Sequence, residues 1–323
     1  MRKDAKEMRY DLAPMEGITT YIYRSTFKKY YEGINRYYTP FLASMHLSVR
    51  EKNEVLPEHN EGMILIPQIL SNRADEFLEI TKALKDYGYD TVNLNLGCPS
   101  GTVVSKHRGS GFLAVPKELD HFLAEIFDKC PLKISLKTRI GISDEAEWED
   151  ILKIYEKYPL EELIVHTRLQ KDFYKLPARP HTFAEAHRLG VPLCYNGDIT
   201  SFQAQQAVLE IDPTIDRIML GRGIIADPEL AESLTGNSPA RDKDRLQSFL
   251  TDLCDRYLAE MSGGERNTLY KLKEIWVYLG TIFIDGEKYV KKIKKANRLT
   301  EYESAMKTLF DNCEMSTKTF TNA

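Results

Sequence analysis

Residues 90–115 read DTVNLNLGCPSGTVVSKHRGSGFLAV, a segment that begins as a strand and continues as a glycine-rich loop. Val92, Leu94 and Leu96 alternate with polar residues, which is the period-two pattern of a β-strand. The pattern stops at Gly97-Cys98-Pro99, where the backbone must turn and a thiol stands at the turn. Polar side chains at a strand end and a cysteine at the turn indicate a reaction site. A buried structural cysteine is the alternative that these residues leave open.

Similar strand-like segments recur from Arg9 to Gly221, with helical patterns between them. Alternating strands and helices are typical of a parallel α/β sheet, and about eight such units predict a (β/α)8 TIM barrel. A doubly wound sheet is the alternative, because alternation alone does not show that the sheet closes. Residues 43–62 are polar and contain Pro57, so we predict a loop with little regular helix there. The predicted strands are Arg9–Ala13, Tyr38–Leu42, Met63–Gln68, Thr91–Asn95, Leu132–Thr138, Glu162–His166, Pro192–Tyr195 and Arg217–Gly221.

The pattern changes near residues 236–239, where strand-like segments cease. Apolar residues at helical spacing then predict four helices and a small all-helical C-terminal domain. We therefore predict a catalytic barrel over residues 1–238 and a helical domain over residues 239–323. The tail after Asn312 is polar, which predicts a frayed end.

Composition narrows the class of protein. The net charge of −4 over 323 residues gives no overall nucleic-acid signature, so any basic surface must be local. Five scattered cysteines without C-x-x-C spacing predict neither a disulfide framework nor a metal site, and they favour a reducing compartment. The N-terminus lacks the apolar segment of a signal peptide, and no apolar run is long enough to cross a bilayer. We predict a cytoplasmic monomer without a membrane or protein partner.

Polar or reactive residues stand at the C-terminal ends of nearly all predicted strands. In a TIM barrel these ends meet at one rim, where the chemistry takes place. The glycine-containing loops after the last two strands predict a phosphate site, to which Arg222 can add a bidentate contact. Lys137 and His166 would then face the electron-rich edge of a flavin ring.

Seven motifs carry a family resemblance. They are APMEGIT at 13–19, Gln68, LNLGCPSGTVVSK at 94–106, LKTRIG at 136–141, HTRLQKDFY at 166–174, NGDI at 196–199 and LGRG at 220–223. Together they resemble the bacterial, FMN-dependent tRNA-dihydrouridine synthases over essentially the whole chain. The resemblance implies an FMN-bearing TIM barrel, a helical RNA-binding domain, and reduction of the uracil 5,6 double bond in tRNA with NADPH or NADH. Thr20 departs from the family, which commonly has an aspartate at this position.

The resemblance also implies roles for individual residues. Hydride passes from flavin N5 to uracil C6, and Cys98 matches the proton donor to C5, with Asn95 near the uracil and the flavin. Residues implied to bind the cofactor are Pro14, Met15, Glu16, Gln68, Lys137, His166, Asn196, Gly197, Asp198, Gly221 and Arg222.

Basic and aromatic residues are expected to contact the RNA substrate. One group surrounds the barrel mouth, and a second lies in the helical domain, where a solvated helix face is the alternative. The expected RNA-binding residues are Lys106, Arg108, Arg139, Arg168, Tyr174, Lys271, Lys291, Lys292, Lys294 and Lys295.

Three alternatives to a tRNA-modifying enzyme stay open. A small-molecule flavin dehydrogenase of the dihydroorotate or dihydropyrimidine kind explains Cys98 but leaves the basic helical domain without a role. A flavin-free RNA-binding protein conflicts with the combined presence of Lys137, His166 and Arg222. A ribosomal RNA substrate fits the same motifs, and no motif specifies which uridine is reduced.

Overall fold

A computed structural model of the chain describes residues 7–235 and 241–316. Its centre is one sheet of nine parallel strands in the order β3-β2-β1-β9-β8-β7-β6-β5-β4. The strands are β1 Arg9–Leu12, β2 Ile34–Tyr38, β3 Leu65–Ile66, β4 Gln68–Ile69, β5 Thr91–Leu96, β6 Lys133–Arg139, β7 Glu162–His166, β8 Leu193–Asn196 and β9 Arg217–Leu220.

Pro67 explains how the sheet closes. β3 and β4 stand at opposite ends of the strand order, yet only Pro67 separates them in the chain. Proline has no N–H to donate, so the ladder is interrupted there, while the Pro67 carbonyl accepts from Asn93 N at 2.9 Å. β3 and β4 thus share one strand position of a barrel that has eight such positions. This confirms the predicted TIM barrel and rules out the doubly wound sheet.

Helices surround the barrel, and their apolar stripes face the sheet. Phe77 and Phe122, on neighbouring helices, pack edge to face with ring centroids 6.0 Å apart. The helices of the barrel are α1 Tyr21–Tyr30, α2 Val49–Val55, α3 Ala74–Asp86, α4 Gly101–Val104, α5 Pro116–Lys129, α6 Glu147–Tyr155, α7 Phe202–Ile211, α8 Arg222–Ala226 and α9 Leu230–Ser233.

Two predictions in the second unit were wrong. β2 covers Ile34–Tyr38, four residues before the predicted strand, because Pro40 lacks the N–H that would extend the ladder. The predicted loop at 43–62 contains α2, which begins with a capping box: the Ser48 side chain accepts from Glu51 N, and Glu51 accepts from Ser48 N. These reciprocal bonds satisfy the free N–H groups of the first turn, so the short polar helix is stable.

Four helices follow the barrel, as predicted. They are α10 Lys243–Glu260, α11 Gly264–Leu279, α12 Glu287–Lys295 and α13 Leu299–Asn312. α10 packs against α1, where Phe249 lies between Tyr23, Phe27 and Tyr31 with ring centroids 5.3 to 6.4 Å away. α11 packs against α8, the helix that follows β9, so the helical region contacts the last βα unit of the barrel directly.

Two further predictions concern the boundary between the domains and the end of the chain. The expected boundary between residues 238 and 239 lies outside the described residues, as does the tail from residue 317. Met315 forms a bridge with Phe283, and Ser316 N donates to Ile282 O at 2.7 Å, so the chain is still paired to residue 316. Across the described ranges no helix is long and apolar enough to cross a lipid bilayer.

Candidate active site

Loops at the C-terminal ends of five strands line one pocket at the barrel mouth. These strands are β1, β9, β8, β7 and β6, which are five consecutive strands in the sheet order. The pocket brings together most of the predicted cofactor residues, and Arg168 and Tyr174 of the predicted RNA set also line it. Glu16 and Gln68, which were also predicted to bind the cofactor, do not line this pocket. The lining residues are Ala13, Pro14, Met15, Lys137, His166, Arg168, Tyr174, Asn196, Gly197, Asp198, Ile199, Thr200, Met219, Gly221, Arg222 and Gly223.

Strand register sets the spacing of the polar groups in this pocket. In the parallel ladders Asn95 lies opposite Lys137, Arg139 opposite His166, and His166 opposite Asn196. Neighbouring strands are about 4.8 Å apart, so partners in register lie side by side at one rim. The sequence separations of 27 to 42 residues therefore become short distances across the barrel mouth.

Lys137 is the ammonium group on this rim. Its Nζ donates to Asn196 Oδ1 at 2.9 Å, and Asn196 Nδ2 in turn donates to Met219 O at 2.8 Å, which fixes the orientation of the amide. Burial, together with the nearby Arg139 charge, lowers the pKa of Lys137 to about 8. At neutral pH the side chain is thus mostly charged. Because this charge is buried, a bound anion would stabilise it more than it would stabilise the charge of an exposed lysine.

Asp198 joins two arginines in the same pocket. Its carboxylate accepts from the Arg168 guanidinium, from Arg222 Nη2 at 3.0 Å and from Ala178 N at 3.0 Å. Arg168 Nη1 lies 3.0 Å from His166 Nε2. The Asp198 side chain thus orients two arginines of the pocket, and the expected phosphate contact of residue 198 would have to come from its backbone, because a carboxylate repels a phosphate.

The surroundings of His166 favour its neutral form. Burial, followed by the charges of Arg139 and Lys137, holds its pKa well below the usual range. A neutral imidazole can act in the pocket as a hydrogen-bonding group. The positive charge of the rim comes from Lys137 and the arginines.

Tyr174 covers one side of the pocket. The guanidinium carbon of Arg222 lies 4.2 Å from the centroid of its ring, which is a close cation–π contact. The ring also lies 6.0 Å from that of His166. Tyr278 of α11 was not identified from the sequence; burial raises its pKa, and the nearby Tyr174 and Arg222 also act on it. In the sequence, Tyr278 stands out only as part of an amphipathic helix, and such a pattern indicates packing and not a functional site.

An amide network lies under the Cys98 turn. Asn95 Oδ1 accepts from Gly97 N at 3.0 Å and from Cys98 N at 2.9 Å, so one side chain fixes the turn. Asn95 Nδ2 donates to Gln68 Oε1 at 2.7 Å, and Gln68 Nε2 donates to Asn93 Oδ1 at 2.8 Å. Gln68, predicted to contact flavin, thus has both ends of its amide occupied within this network.

Cys98 stands half-buried on this turn as a free thiol. Burial raises the pKa of the thiol above its ordinary value, and the backbone N–H of Ser100 offsets part of that rise. The Cys98 carbonyl accepts from both Ser110 N at 3.0 Å and Ser110 Oγ at 2.9 Å. A Cβ at Gly109, where φ is +57°, would lie 2.8 Å from that carbonyl, so only glycine permits this close loop packing.

Arg139 connects the Cys98 turn to the loop that carries Tyr174. Its guanidinium is buried and donates to Gly97 O at 3.0 Å, Leu169 O at 2.7 Å and Phe173 O at 3.1 Å. This position differs from the RNA-facing surface expected from the sequence. We infer that Arg139 holds the two loops together.

The other predicted RNA contacts fall into three groups. Arg108 is paired with Glu76 at 2.7 Å, and Lys271 Nζ donates to Gly17 O at 2.7 Å, so both side chains have structural partners. Buried Arg168 belongs to the pocket. The exposed ones are Lys106 at the barrel mouth and Lys291, Lys292, Lys294 and Lys295 on α12.

The charge of the pocket suits a phosphate group such as that of FMN. Lys137, Arg168 and Arg222 with one carboxylate give a net charge near plus two, and a phosphomonoester carries about −1.5 to −2 at neutral pH. A Cβ at Gly221 would lie 3.6 Å from Ala13 Cβ and 3.7 Å from Met15 Sδ, so glycine leaves that space open. The residues present thus suit an anionic group beside an apolar wall.

Comparison with known proteins agrees with this geometry. The family model described as dihydrouridine synthase (Dus) matches residues 11–323. The chain is 29% identical over 250 residues to tRNA-dihydrouridine synthase B of Pasteurella multocida, covering 76% of this chain and 74% of the relative. It is 30% identical over 237 residues to a probable tRNA-dihydrouridine synthase of Staphylococcus epidermidis, covering 67% and 69%. It is 26% identical over 309 residues to tRNA-dihydrouridine(16) synthase of Shewanella oneidensis, covering 89% and 93%. The chain belongs to the dihydrouridine synthase family.

Proposed function

We propose that this protein is an FMN-dependent tRNA-dihydrouridine synthase, which reduces the 5,6 double bond of specific uridines with NADPH or NADH. The observation that carries the proposal is the half-buried thiol of Cys98, whose pKa is raised by burial, on the same barrel rim as a cationic pocket that suits the FMN phosphate. The names of the relatives support the substrate and the reaction.

Different residues of the pocket would bind different parts of FMN. Arg222 and the backbone of residues 197–198 and 221–223 would bind the phosphate, and Arg168 would act through Asp198. Pro14 and Met15 would form the apolar wall, and Lys137 would lie at the polar edge of the ring. When bound, reduced FMN supplies the hydride that adds to uracil C6.

Cys98 supplies the proton. Hydride addition at C6 leaves negative charge across C5 and O4 of the uracil, and a proton at C5 completes saturation of the bond. A thiol whose pKa is raised by burial keeps its proton at neutral pH and acts as a general acid. The resulting thiolate is reprotonated from solvent. Asn95 keeps the thiol in place because it accepts from two N–H groups of the turn.

A uracil within an RNA stack cannot reach a thiol at the barrel mouth. The target base must therefore be flipped out or lie in an unpaired loop. Exposed Lys106 on the loop after Cys98 and the exposed lysines of α12 would attract the phosphate backbone around that base.

Mass analysis of cellular RNA tests the reaction and its substrate together. We expect that cells lacking this gene lose a uridine with two extra hydrogens at one tRNA position, and that the purified protein with NADPH restores it. Loss of the modified base from ribosomal RNA alone would contradict the tRNA assignment. Unchanged RNA, with turnover of free dihydropyrimidines or dihydroorotate, would favour the small-molecule dehydrogenase. A purified protein without flavin absorbance in the visible range would contradict both enzymes.

FMN binding should depend on pH through Lys137. In the cofactor-free protein its pKa is lowered to about 8, and an anion bound nearby should raise it because the charged form is then favoured. Binding at pH 9 should therefore take up as much as one proton, and the affinity should fall as pH rises through about 8, by at most tenfold per pH unit.

Calorimetry in buffers of different ionisation enthalpy measures this uptake. At pH 9 the apparent enthalpy should depend on the buffer, whereas at pH 6.5 Lys137 is already charged and should contribute little. Lys137→Met should remove the dependence at pH 9. A buffer-independent enthalpy for the unaltered protein at pH 9 would show that FMN does not bind beside this ammonium.

A further inference from the structure

The loop after β7 ends in a tight turn that has two exposed aromatic residues at its centre. Lys175 N donates to Asp172 O at 2.8 Å, and this hydrogen bond closes a four-residue β-turn. Phe173 and Tyr174 are the two central residues, and they are 47% and 42% exposed. The 172–175 turn therefore presents two aromatic rings at the mouth of the barrel.

Phe173 stands at a position of the turn that favours glycine. Its φ is +48° and its ψ is −101°, which are close to the angles of the first central residue in a type II′ turn. Glycine adopts these angles without strain, whereas a bulky side chain does so at a cost in energy. A large ring that is both strained and half-exposed is a poor choice for folding alone, and such residues are common at functional sites.

Buried groups hold the 172–175 turn in place. Asp172 is buried, where its carboxylate pairs with Arg179 and accepts from Leu169 N at 2.8 Å. On the other side, the Arg139 guanidinium donates to Phe173 O at 3.1 Å. The Phe173 ring is thus carried on a fixed backbone, so little conformational entropy would be lost when a ligand packs against it.

The two rings of the turn have different surroundings. Tyr174 lines the cationic pocket, whereas Phe173 does not. The Arg139 guanidinium that holds Phe173 O also donates to Gly97 O, the carbonyl that directly precedes Cys98. Because one guanidinium reaches both carbonyls, Phe173 lies beside the Cys98 turn and outside the cofactor pocket. A ligand on its ring would be a neighbour of the group that reacts at Cys98.

Exposed lysines flank the two aromatic residues in the chain. Lys171 precedes the turn and Lys175 is its last residue, and both are exposed. Proteins that bind single-stranded nucleic acids combine aromatic rings, on which bases stack, with positive charge that attracts the phosphates. The turn offers both within five residues, so its chemistry suits a nucleotide of an unpaired RNA segment.

A uracil that leaves its stack to reach Cys98 deprives the adjacent bases of a stacking partner. We propose that the Phe173 ring stacks on a base next to the target uridine and so holds the RNA strand while the uracil lies at Cys98. This inference rests on the proposed RNA substrate, and it adds a residue that positions the unpaired segment at the barrel mouth.

Two substitutions separate stacking from the shape of the turn. Phe173→Leu keeps an apolar side chain at the strained position but removes the aromatic face, and Phe173→Tyr keeps that face. The matched control is Phe202→Leu, because Phe202 is the other exposed phenylalanine among the residues that the structure describes. Thermal melting of the three variants and of the unaltered protein verifies that all of them are folded.

Single-turnover reduction over a range of tRNA concentrations gives the half-saturating concentration of tRNA. We expect Phe173→Leu to raise it roughly 5- to 150-fold, the range that corresponds to the loss of base–aromatic stacking. Phe173→Tyr and Phe202→Leu should stay close to the unaltered protein. An unchanged half-saturating concentration for Phe173→Leu would overturn the inference.

Reduction of the bound flavin by NADPH should proceed at the same rate in all variants, because no RNA takes part in this step. Slower flavin reduction in Phe173→Leu, with a normal half-saturating concentration of tRNA, would assign the ring to the nicotinamide nucleotide. That result would also overturn the inference.

A fluorescent purine analogue in the RNA gives a readout that a purely structural role of Phe173 would not change. The analogue is placed on either side of the target uridine once mass analysis has located it, and its emission falls when it stacks on an aromatic ring. At saturating protein, one of the two labels should be dimmer with the unaltered protein and Phe173→Tyr than with Phe173→Leu. Equal emission with the tyrosine and leucine variants would overturn the inference.

The unaltered protein distinguishes this inference from the proposed function. If it reduces tRNA while Phe173→Leu behaves like Phe202→Leu in both measurements, only the stacking inference is wrong. If the unaltered protein does not reduce tRNA, the proposed function is wrong and the stacking inference with it.

Discussion

Replacing Cys98 by alanine should lower uridine reduction in tRNA by about 10²–10⁴-fold, the usual contribution of a general acid. The thiol is half-buried, and its pKa is raised by burial, so at neutral pH it holds the proton that C5 of the uracil needs. Flavin content and tRNA affinity should change little, because Cys98 does not line the cationic pocket.

Single-turnover reduction of unmodified tRNA by the pre-reduced protein measures this effect apart from cofactor loading. Cys130→Ala is the matched control, since Cys130 is also a half-buried free thiol but lies at the C-terminal end of α5. The control should turn over at the normal rate. A Cys98→Ala rate close to that of Cys130→Ala would show that another group protonates C5.

Replacing Arg222 by alanine should weaken FMN binding by roughly 10- to 150-fold. This range corresponds to the loss of one charge-assisted hydrogen bond, about 1.5–3 kcal/mol. Arg222 is placed for this role because Asp198 holds its Nη2 at 3.0 Å and Tyr174 packs against its face at 4.2 Å. These contacts fix the guanidinium before the cofactor arrives, so little conformational entropy is lost on binding.

Quenching of flavin fluorescence by the cofactor-free protein gives the dissociation constant. Arg188→Ala is the control, because Arg188 pairs with Glu149 and Glu156 and does not line the pocket. Both variants should keep the circular dichroism of the unaltered protein. An Arg222→Ala affinity equal to that of the control would contradict phosphate binding at this loop.

The rim of the barrel could be predicted from the sequence because parallel strands present the same ends to one face. Lys137 and Asn196 are 59 residues apart, yet a hydrogen bond joins them at 2.9 Å. Nothing beyond the strand pattern and the barrel rule is needed to place them together. The four C-terminal helices could be predicted in the same way, from apolar residues at helical spacing.

Pairing that does not follow from the strand register could not be predicted. Arg139 appears in the sequence as an exposed charge, but its partners are carbonyls 30 to 42 residues away in the chain. Likewise, Lys271 is a member of a basic segment that turns out to bond to Gly17, 254 residues earlier. His166 is similar: its burial and the surrounding cations, which hold the pKa of the imidazole well below the usual range, are not visible in the sequence. A one-dimensional pattern shows the type of a side chain but not its neighbours.

The packing of Phe249 among the aromatic rings of α1 has a consequence for chimeric proteins within this family. Four aromatic rings of the barrel surround it, so exchanging the helical region alone would set foreign side chains against Tyr23, Phe27, Tyr30 and Tyr31. Aromatic pairs of this kind depend on matching shape. A transplant of the helical region should therefore carry α1 along with α10 as one unit.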